Sequence, residues 1–290
     1  MHTTPAQSDF LESSALSQYL SMDKIALLDD LIHKAQENKL KSKHLYKAFH
    51  GIFARGNLSL LKKPKVAIIG TRSPNQYAKQ MTTQLANTLS QKGFVVVSGG
   101  AIGIDSIAHL NANNNAILIL PCGIDAIYPK ENATLINNLA QNGLVLSEYG
   151  GTYKPMKHTF LERNRLIIAW SDIIIIPQAD IKSGSSSSAN LAITLQKPLF
   201  VLPHRLHESR GTQELLQAQK AQCIYDLESF VTNVCEIHNI AYMQEIKDPL
   251  LEFAYNNGLF EDALKLFGDL VFAYELEGKI KRNGLYIVPC

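Results

Sequence analysis

Two stretches decide the fold: Val66-Ala67-Ile68-Ile69-Gly70-Thr71-Arg72, and Phe94-Val95-Val96-Val97-Ser98-Gly99-Gly100-Ala101-Ile102-Gly103-Ile104-Asp105. Each is a short, continuous β-rich run that breaks at glycine. Runs of this kind suit strands buried on both faces. Between them lies Gln76–Gln91, whose Met81, Leu85 and Leu89 recur at helical spacing. Strand, helix, strand in alternation implies parallel strands joined by right-handed crossovers.

The same rhythm continues outward. Further runs stand at Ala116–Leu120, Leu144–Leu146, Ile173–Ile176 and Leu199–Leu202, and a shorter one near Gly51–Arg55 is read as an edge strand. Upstream, residues 1–10 read as a loose tail. Residues 11–48 read as helical, with Ile25, Leu28, Leu31 and Ile32 on one face. The rhythm stops after residue 226. Residues 246–290 suggest helices and then a hairpin, with Asn283-Gly284 as its turn. Helices followed by a hairpin suggest a small winged-helix-like module. The expected divisions are a helical N-terminal extension (1–50), an α/β domain (51–228) and the C-terminal module (241–290).

Charge is distributed unevenly. The whole chain carries only +2, but residues 51–240 hold 17 Lys/Arg against 12 Asp/Glu, whereas residues 241–290 hold 5 against 8. The middle is basic and the C-terminal end acidic, so the latter reads as a partner-binding or structural module and not as an arm for a polyanion such as DNA. Its Phe272 and Tyr274 suit a protein contact, although such rings are more often core. Cys122, Cys223, Cys235 and Cys290 show no CxxC spacing and no accompanying His cluster. A zinc site and a disulfide framework are both disfavoured, and a reducing compartment fits. No apolar run reaches the length of a membrane span. The expectation is a cytoplasmic protein without a membrane partner.

In an open parallel sheet, ligands bind beyond the carboxyl ends of the strands. Gly70-Thr71-Arg72 follows the first run. A dinucleotide fingerprint would need glycines at 72 and 75, where Arg72 and Asn75 stand, and no GxxxxGK[ST] occurs. No cofactor is expected. Ser98-Gly99-Gly100 follows the second run and opens toward a helix near Ile104; small residues there let backbone N–H groups face an anion. Asp105 reads as an acid of that helix's first turn, and His109 as a core histidine or a site residue. Lys182-Ser183-Gly184-Ser185 leads into another helix and makes a second anion cradle with a cation beside it. Lys154 through Arg165 places Lys157, Phe160, Arg163, Asn164 and Arg165 in a loop before an apolar helix (Leu166–Trp170). Cations there could neutralise phosphates, and Phe160 either stacks on a base or tucks inward. Three anion-suited loops favour a ligand with several phosphates, such as a nucleic-acid strand. No Ser-His-Asp set, carboxylate pair or metal-ligand cluster stands out, so neither catalysis nor a metal is expected.

At these residues the chain resembles the bacterial DprA/Smf (DNA-processing protein A) family, and its wording is similar to Helicobacter-like members. The matching stretches are Val66–Arg72, Val97–Asp105, Ile127-Tyr128-Pro129 with Asn132, Ser147-Glu148-Tyr149, Phe160 with Arg163-Asn164-Arg165, Ser183–Ser185 and Gly211-Thr212, all in the family's order. The resemblance implies an extended Rossmann-like domain and a winged-helix-like module. It implies single-stranded DNA binding, a homodimer, and protection of incoming DNA with loading of RecA during natural transformation. By motif position it places Arg72, Ser98, Gly99, Gly100, Lys157, Phe160, Arg163, Asn164, Arg165 and the Ser183–Ser185 loop at the DNA, with Lys182 adjoining. Two departures stand out. Ile102 occupies a segment where many members carry Arg, and a serine run follows Ser185. The competing reading is a nucleotide phosphoribohydrolase of the LOG type. That group needs a PGGxGT-type stretch, and Pro177-Gln178-Ala179 stands after the fifth run instead.

Overall fold

The computed structural model describes residues 8–28, 48–238, 249–255 and 258–289. Most of the N-terminal helical expectation, residues 29–47, lies outside the described residues.

The apolar runs form strands β3 (Lys65–Ile68), β4 (Val95–Ser98), β5 (Ala116–Ile119), β6 (Leu144–Ser147), β7 (Ile173–Ile176) and β8 (Leu199–Val201). Every residue of β3 to β7 is buried, as strands covered on both faces require. With β1 (Asp9–Glu12), β2 (Gly51–Gly56) and β9 (Gln222–Cys223) they build one sheet in the order β1-β2-β6-β5-β4-β3-β7-β8-β9. Pairs from β6 through β9 are parallel.

Two expectations change at one end of this sheet. β2 is not its edge: it pairs antiparallel with β6 on one side and with β1 on the other. Residues 9–12, read as tail and helix, are that outer strand; a helical turn (Ser13–Leu16) follows, and residues 22–28 are helical as expected. Leu16, Leu20 and Leu28 are buried in the main core beside Ile52, Leu61 and Trp170. Lys24 bonds Asp172 at 2.6 Å, which ties this segment to the start of β7.

The helices are α1 (Gln76–Gln91), α2 (Ile104–Leu110), α3 (Ala133–Asn142), α4 (Lys157–Trp170), α5 (Gly184–Thr194), α6 (Arg210–Gln217) and α7 (Leu227–Ile237). Helix α1 buries Ala78, Thr82, Leu85, Ala86 and Leu89 along one stripe, and the Asn75 side chain accepts the Ala78 N–H at its start (2.8 Å). The chain builds outward from β3 through β4 to β6, then crosses back and continues at β7. The strand order therefore reverses between β3 and β7, and a crevice opens there at the carboxyl ends. This is the extended Rossmann-like arrangement.

Contacts divide the chain into two units, Met1–Ile240 and Ala241–Cys290. The second holds α8 (Pro249–Tyr255), α9 (Phe260–Phe267), α10 (Leu270–Leu276) and a hairpin of β10 (Ile280–Asn283) and β11 (Tyr286–Pro289). Its core is Leu250, Ala254, Ala263, Val271, Ile280 and Ile287, and Leu259 bridges to Tyr286. This is the winged-helix-like module. Its turn falls one residue later than expected: Asn283 pairs with Tyr286, and Gly284 takes φ +65° between them. Phe272 is 43% exposed, whereas Tyr274 packs against the core. Lys279 bonds Glu277 (2.6 Å) and Arg282 reaches Glu275 (3.8 Å), so two of the three hairpin cations face the module's own acids. Among the described residues, no helix is long and apolar enough to cross a membrane.

Candidate nucleic-acid interface

The crevice at the strand reversal is assembled from three loops and one helix. Gly70-Thr71-Arg72 leaves β3. A side chain at Gly70 would meet Ile104 at 2.6 Å, so the glycine lets α2 pack onto this turn. The Ile104 N–H in turn donates to the Thr71 carbonyl (3.2 Å).

Helix α4 differs from its expected form. The cation-rich segment is not a loop ahead of a helix at Leu166; the helix already begins at Lys157. Phe160, Arg163 and Asn164 are spaced i, i+3, i+4 and share one face, while Arg165 projects from another. That geometry separates residues which are neighbours in sequence.

Two adjoining cavities result. The smaller, about 260 Å³, lies between Gly70–Arg72, Asp105 and the start of α5, with Phe160, Arg163 and Asn164 on its α4 side. Ser183 caps α5: its Oγ accepts the Ser186 N–H (3.1 Å) and donates to the Asp180 carbonyl (2.8 Å). Ser183, Gly184 and Ser185 all line this cavity, so the positive end of a helix faces it. Asn164 donates to Ser188 Oγ (3.1 Å), which clamps α4 to α5 at this point. The larger cavity, about 510 Å³, shares Arg72, Ala101, Phe160 and Arg163 with the smaller and extends over Gly99, Tyr128 and Lys154. Phe160 is half-buried on the boundary. Its ring meets Tyr128 edge-on (5.7 Å, 70°), and the Arg72 guanidinium stands 5.8 Å from its centroid.

Arg163 is the centre of charge. Its side chain is 5% exposed and donates to the Ile119 carbonyl (2.8 Å). Burial lowers its pKa to about 10, against the pull of nearby Asp105, so it stays charged at neutral pH. Asp105 accepts the Gly99 N–H (3.1 Å); burial raises its pKa and Arg163 draws it back. His109 is a core residue, pushed down to about 3 by burial and uncharged at neutral pH.

Not every expected residue joins this site. Arg72, Phe160, Arg163, Asn164, Ser183, Gly184 and Ser185 line the smaller cavity, and Gly99 lines the larger. Ser98 is fully buried and donates to the Ile68 carbonyl (2.7 Å), which clasps β4 to β3. Gly100 takes φ +65°, and its carbonyl accepts from Asn132 (2.9 Å). Lys157 and Lys182 are exposed and line neither cavity. Arg165 lines neither cavity; it is buried and paired with Glu148, just beyond the end of β6. Conversely, Ile127, Tyr128, Lys130 and Lys154 line the larger cavity without having been expected there. Ile127 and Tyr128 stood in a matching family motif and Lys154 in the cation-rich stretch; only the fold brings them together. Among the described residues, no cluster of three His, Cys, Asp or Glu could hold a metal.

Comparison with known proteins bears on the family and the fold. A structure of DNA processing protein A from Helicobacter pylori, which concerns its single-stranded DNA binding mode, is 53% identical with a TM-score of 0.64, covering 64% of this chain and 87% of that one. The Streptococcus pneumoniae DprA structure is 32% identical with a TM-score of 0.60, covering 63% and 66%. DNA processing protein DprA of Bacillus subtilis is 35% identical over 199 residues, 67% of this chain and 66% of that protein. Smf of Synechocystis is 37% identical over 158 residues, 53% of this chain and 40% of that protein. The match thus spans two thirds or less of these curated relatives. The family model described as DNA recombination-mediator protein A matches residues 31–235, and the chain therefore belongs to the DNA recombination-mediator protein A family.

Proposed function

We propose that this chain binds single-stranded DNA at the β3/β7 crevice, holding phosphates in the smaller cavity and stacking a base on Phe160. It acts by binding alone, as a cytoplasmic homodimer that protects incoming DNA and loads RecA during natural transformation. The observation that carries the DNA reading is the convergence of Arg72, Arg163 and the start of α5 around the half-buried Phe160 ring. Charge and donors for phosphate stand beside an aromatic surface for a base, as single-strand sites require. The RecA, transformation and dimer parts rest on family membership. Two pockets on one strand would raise avidity, because the second contact becomes intramolecular.

The phosphoribohydrolase reading is weaker. After β7 the side chain of Gln178 is committed to structure: it accepts the Asn75 N–H (2.9 Å) and donates to the Glu208 carbonyl (3.2 Å). A gel shift with single- and double-stranded probes, run beside a nucleotide-hydrolysis assay, separates the two. DNA binding without hydrolysis supports the mediator.

Binding will be salt-dependent and largely insensitive to sequence, because the site's cations face phosphates and few groups suit base edges. Arg72→Ala is expected to weaken affinity and to reduce the log–log salt slope by about 0.7, the single-strand value for one charge. An unchanged slope would remove Arg72 from the phosphate path.

Phe160→Ala is expected to cost ~1–3 kcal/mol of binding with little change in melting temperature, since the ring is only half-buried. If melting falls sharply while affinity per folded molecule holds, Phe160 serves the core and not the DNA.

A further inference from the structure

We infer that Gln178 is a positioning residue for DNA binding: by pinning the far end of the loop that leaves β3, it holds Arg72 ready for a phosphate before any strand arrives. The inference rests on the DNA reading above. It names a residue that lines neither cavity and acts through Arg72.

Arg72 is poorly held by its own side chain. It is exposed, and among the described residues the guanidinium has no hydrogen bond or ion pair; its one ring contact is Phe160, at 5.8 Å. It also stands near a like charge. Burial first, and then the Arg72 charge, lower the pKa of Arg163, so the two guanidiniums repel each other. A long cation in that position drifts toward solvent unless its backbone is fixed, and DNA would then have to order it on binding.

The backbone is fixed by Gln178. The Thr71 N–H donates to the Gln178 main-chain carbonyl (2.9 Å), and the Asn75 N–H donates to its side-chain Oε1 (2.9 Å). Arg72-Ser73-Pro74 is thus strung between two bonds to one residue, and the Pro74 ring removes a further backbone freedom from the span. Gln178 is itself immobilised. It is 8% exposed, and its Nε2 donates to the Glu208 carbonyl (3.2 Å). The following N–H, of Ala179, donates to Ser209 Oγ (3.1 Å). Only an amide can accept from Asn75 and donate to Glu208 at once; a carboxylate lacks the donor and an apolar side chain lacks both groups. Asn75 also caps α1 through the Ala78 N–H, so the pinned residue is where the loop ends and the helix begins.

The test is a double-mutant cycle on the full chain: parent, Gln178→Met, Arg72→Ala and the double variant, each titrated with a dT oligonucleotide and scaled to its folded fraction. Gln178→Met removes the Asn75 pin and keeps the Thr71 pin, which is main chain. It is expected to weaken dT binding about two- to tenfold, the cost of ordering one long side chain on binding. In the Arg72→Ala background the same change should cost nothing more. The amides of residues 71–75 should exchange with solvent faster in Gln178→Met than in the parent. Equal losses in both backgrounds, or no loss in either, would overturn the proposal, because Gln178 would then touch DNA itself or serve the fold alone. Gln178→Ala takes the same place in the cycle if Gln178→Met does not fold by circular dichroism. If neither folds, the parent decides: slow exchange of the Asn75 amide without DNA supports the pin, and free exchange overturns it. An Arg72→Ala protein that binds like the parent would overturn this proposal and leave the rest of the site standing. A parent that does not bind the dT probe would overturn the DNA reading itself.

Discussion

Replacing Arg165 with alanine is expected to cost about 3–5 kcal/mol of folding stability while DNA affinity per folded molecule stays unchanged. Arg165 and Glu148 are 1% and 4% exposed at their side chains and form an ion pair. The pair locks the middle of α4 to the segment leaving β6. Removing the guanidinium takes the Arg165 charge away from a buried carboxylate, which costs more than the pair contributes when intact. Arg163 and Asn164, immediately before it, line the smaller cavity; Arg165 lines neither cavity. The check is urea unfolding of parent and variant, with DNA titrations scaled to the folded fraction. Replacing both partners, Arg165→Met with Glu148→Leu, should recover much of the loss because no buried charge is then left alone. A tenfold loss of affinity at unchanged stability would return Arg165 to the DNA path.

Arg165 also marks where a sequence stops being readable. Strands β3 to β7 were legible because four-residue apolar runs buried on both faces leave nothing else for those residues to do. The glycine and serine loops were legible because ligand sites follow the carboxyl ends of such strands. Helix α4 was legible only in its second half. Its first half buries Glu162 and Arg163 through hydrogen bonds, so no apolar stripe announces a helix. Without the helix, the residues of 157–165 could not be sorted by face, and Arg165 looked like its neighbours.

The remaining misreadings have the same physical root. β1, Asp9-Phe10-Leu11-Glu12, carries two apolar residues between acids and pairs only at the sheet's outer edge. Such a strand needs its partner to exist, and a lone sequence does not show the partner. The larger cavity draws on segments from Arg72 to Arg163, and no local pattern spans that distance. Charge was more transparent: the acidic excess of residues 241–290 was countable, and two of the three hairpin cations, Lys279 and Arg282, pair with Glu277 and Glu275.

Gly99→Ala is the substitution expected to damage stability and binding together. A Cβ built at Gly99 would lie 1.7 Å from Arg163 Nη1, 2.2 Å from its Cζ and 2.5 Å from Nη2. One methyl group cannot share that space, so the guanidinium must leave. It would give up its bond to the Ile119 carbonyl and its place beside Asp105. Asp105 is buried and accepts the Gly99 N–H itself, so its surroundings are disturbed as well. Leaving a buried charged group short of its hydrogen bond costs about 1–3 kcal/mol or more, and the displaced guanidinium no longer serves the two cavities that Phe160 divides. The control is Gly184→Ala at the start of α5, where a Cβ meets nothing within 4 Å and φ is not positive. The backbone N–H groups facing the smaller cavity survive that change, so stability should stay within about 0.5 kcal/mol of the parent and binding should hold. Thermal melting and DNA titration of the two variants, side by side, separate a steric seat for Arg163 from a general need for glycine. A Gly99→Ala protein that melts and binds like the parent would mean that Arg163 reaches neither cavity through this seat, and the phosphate site would have to be rebuilt around Arg72 alone.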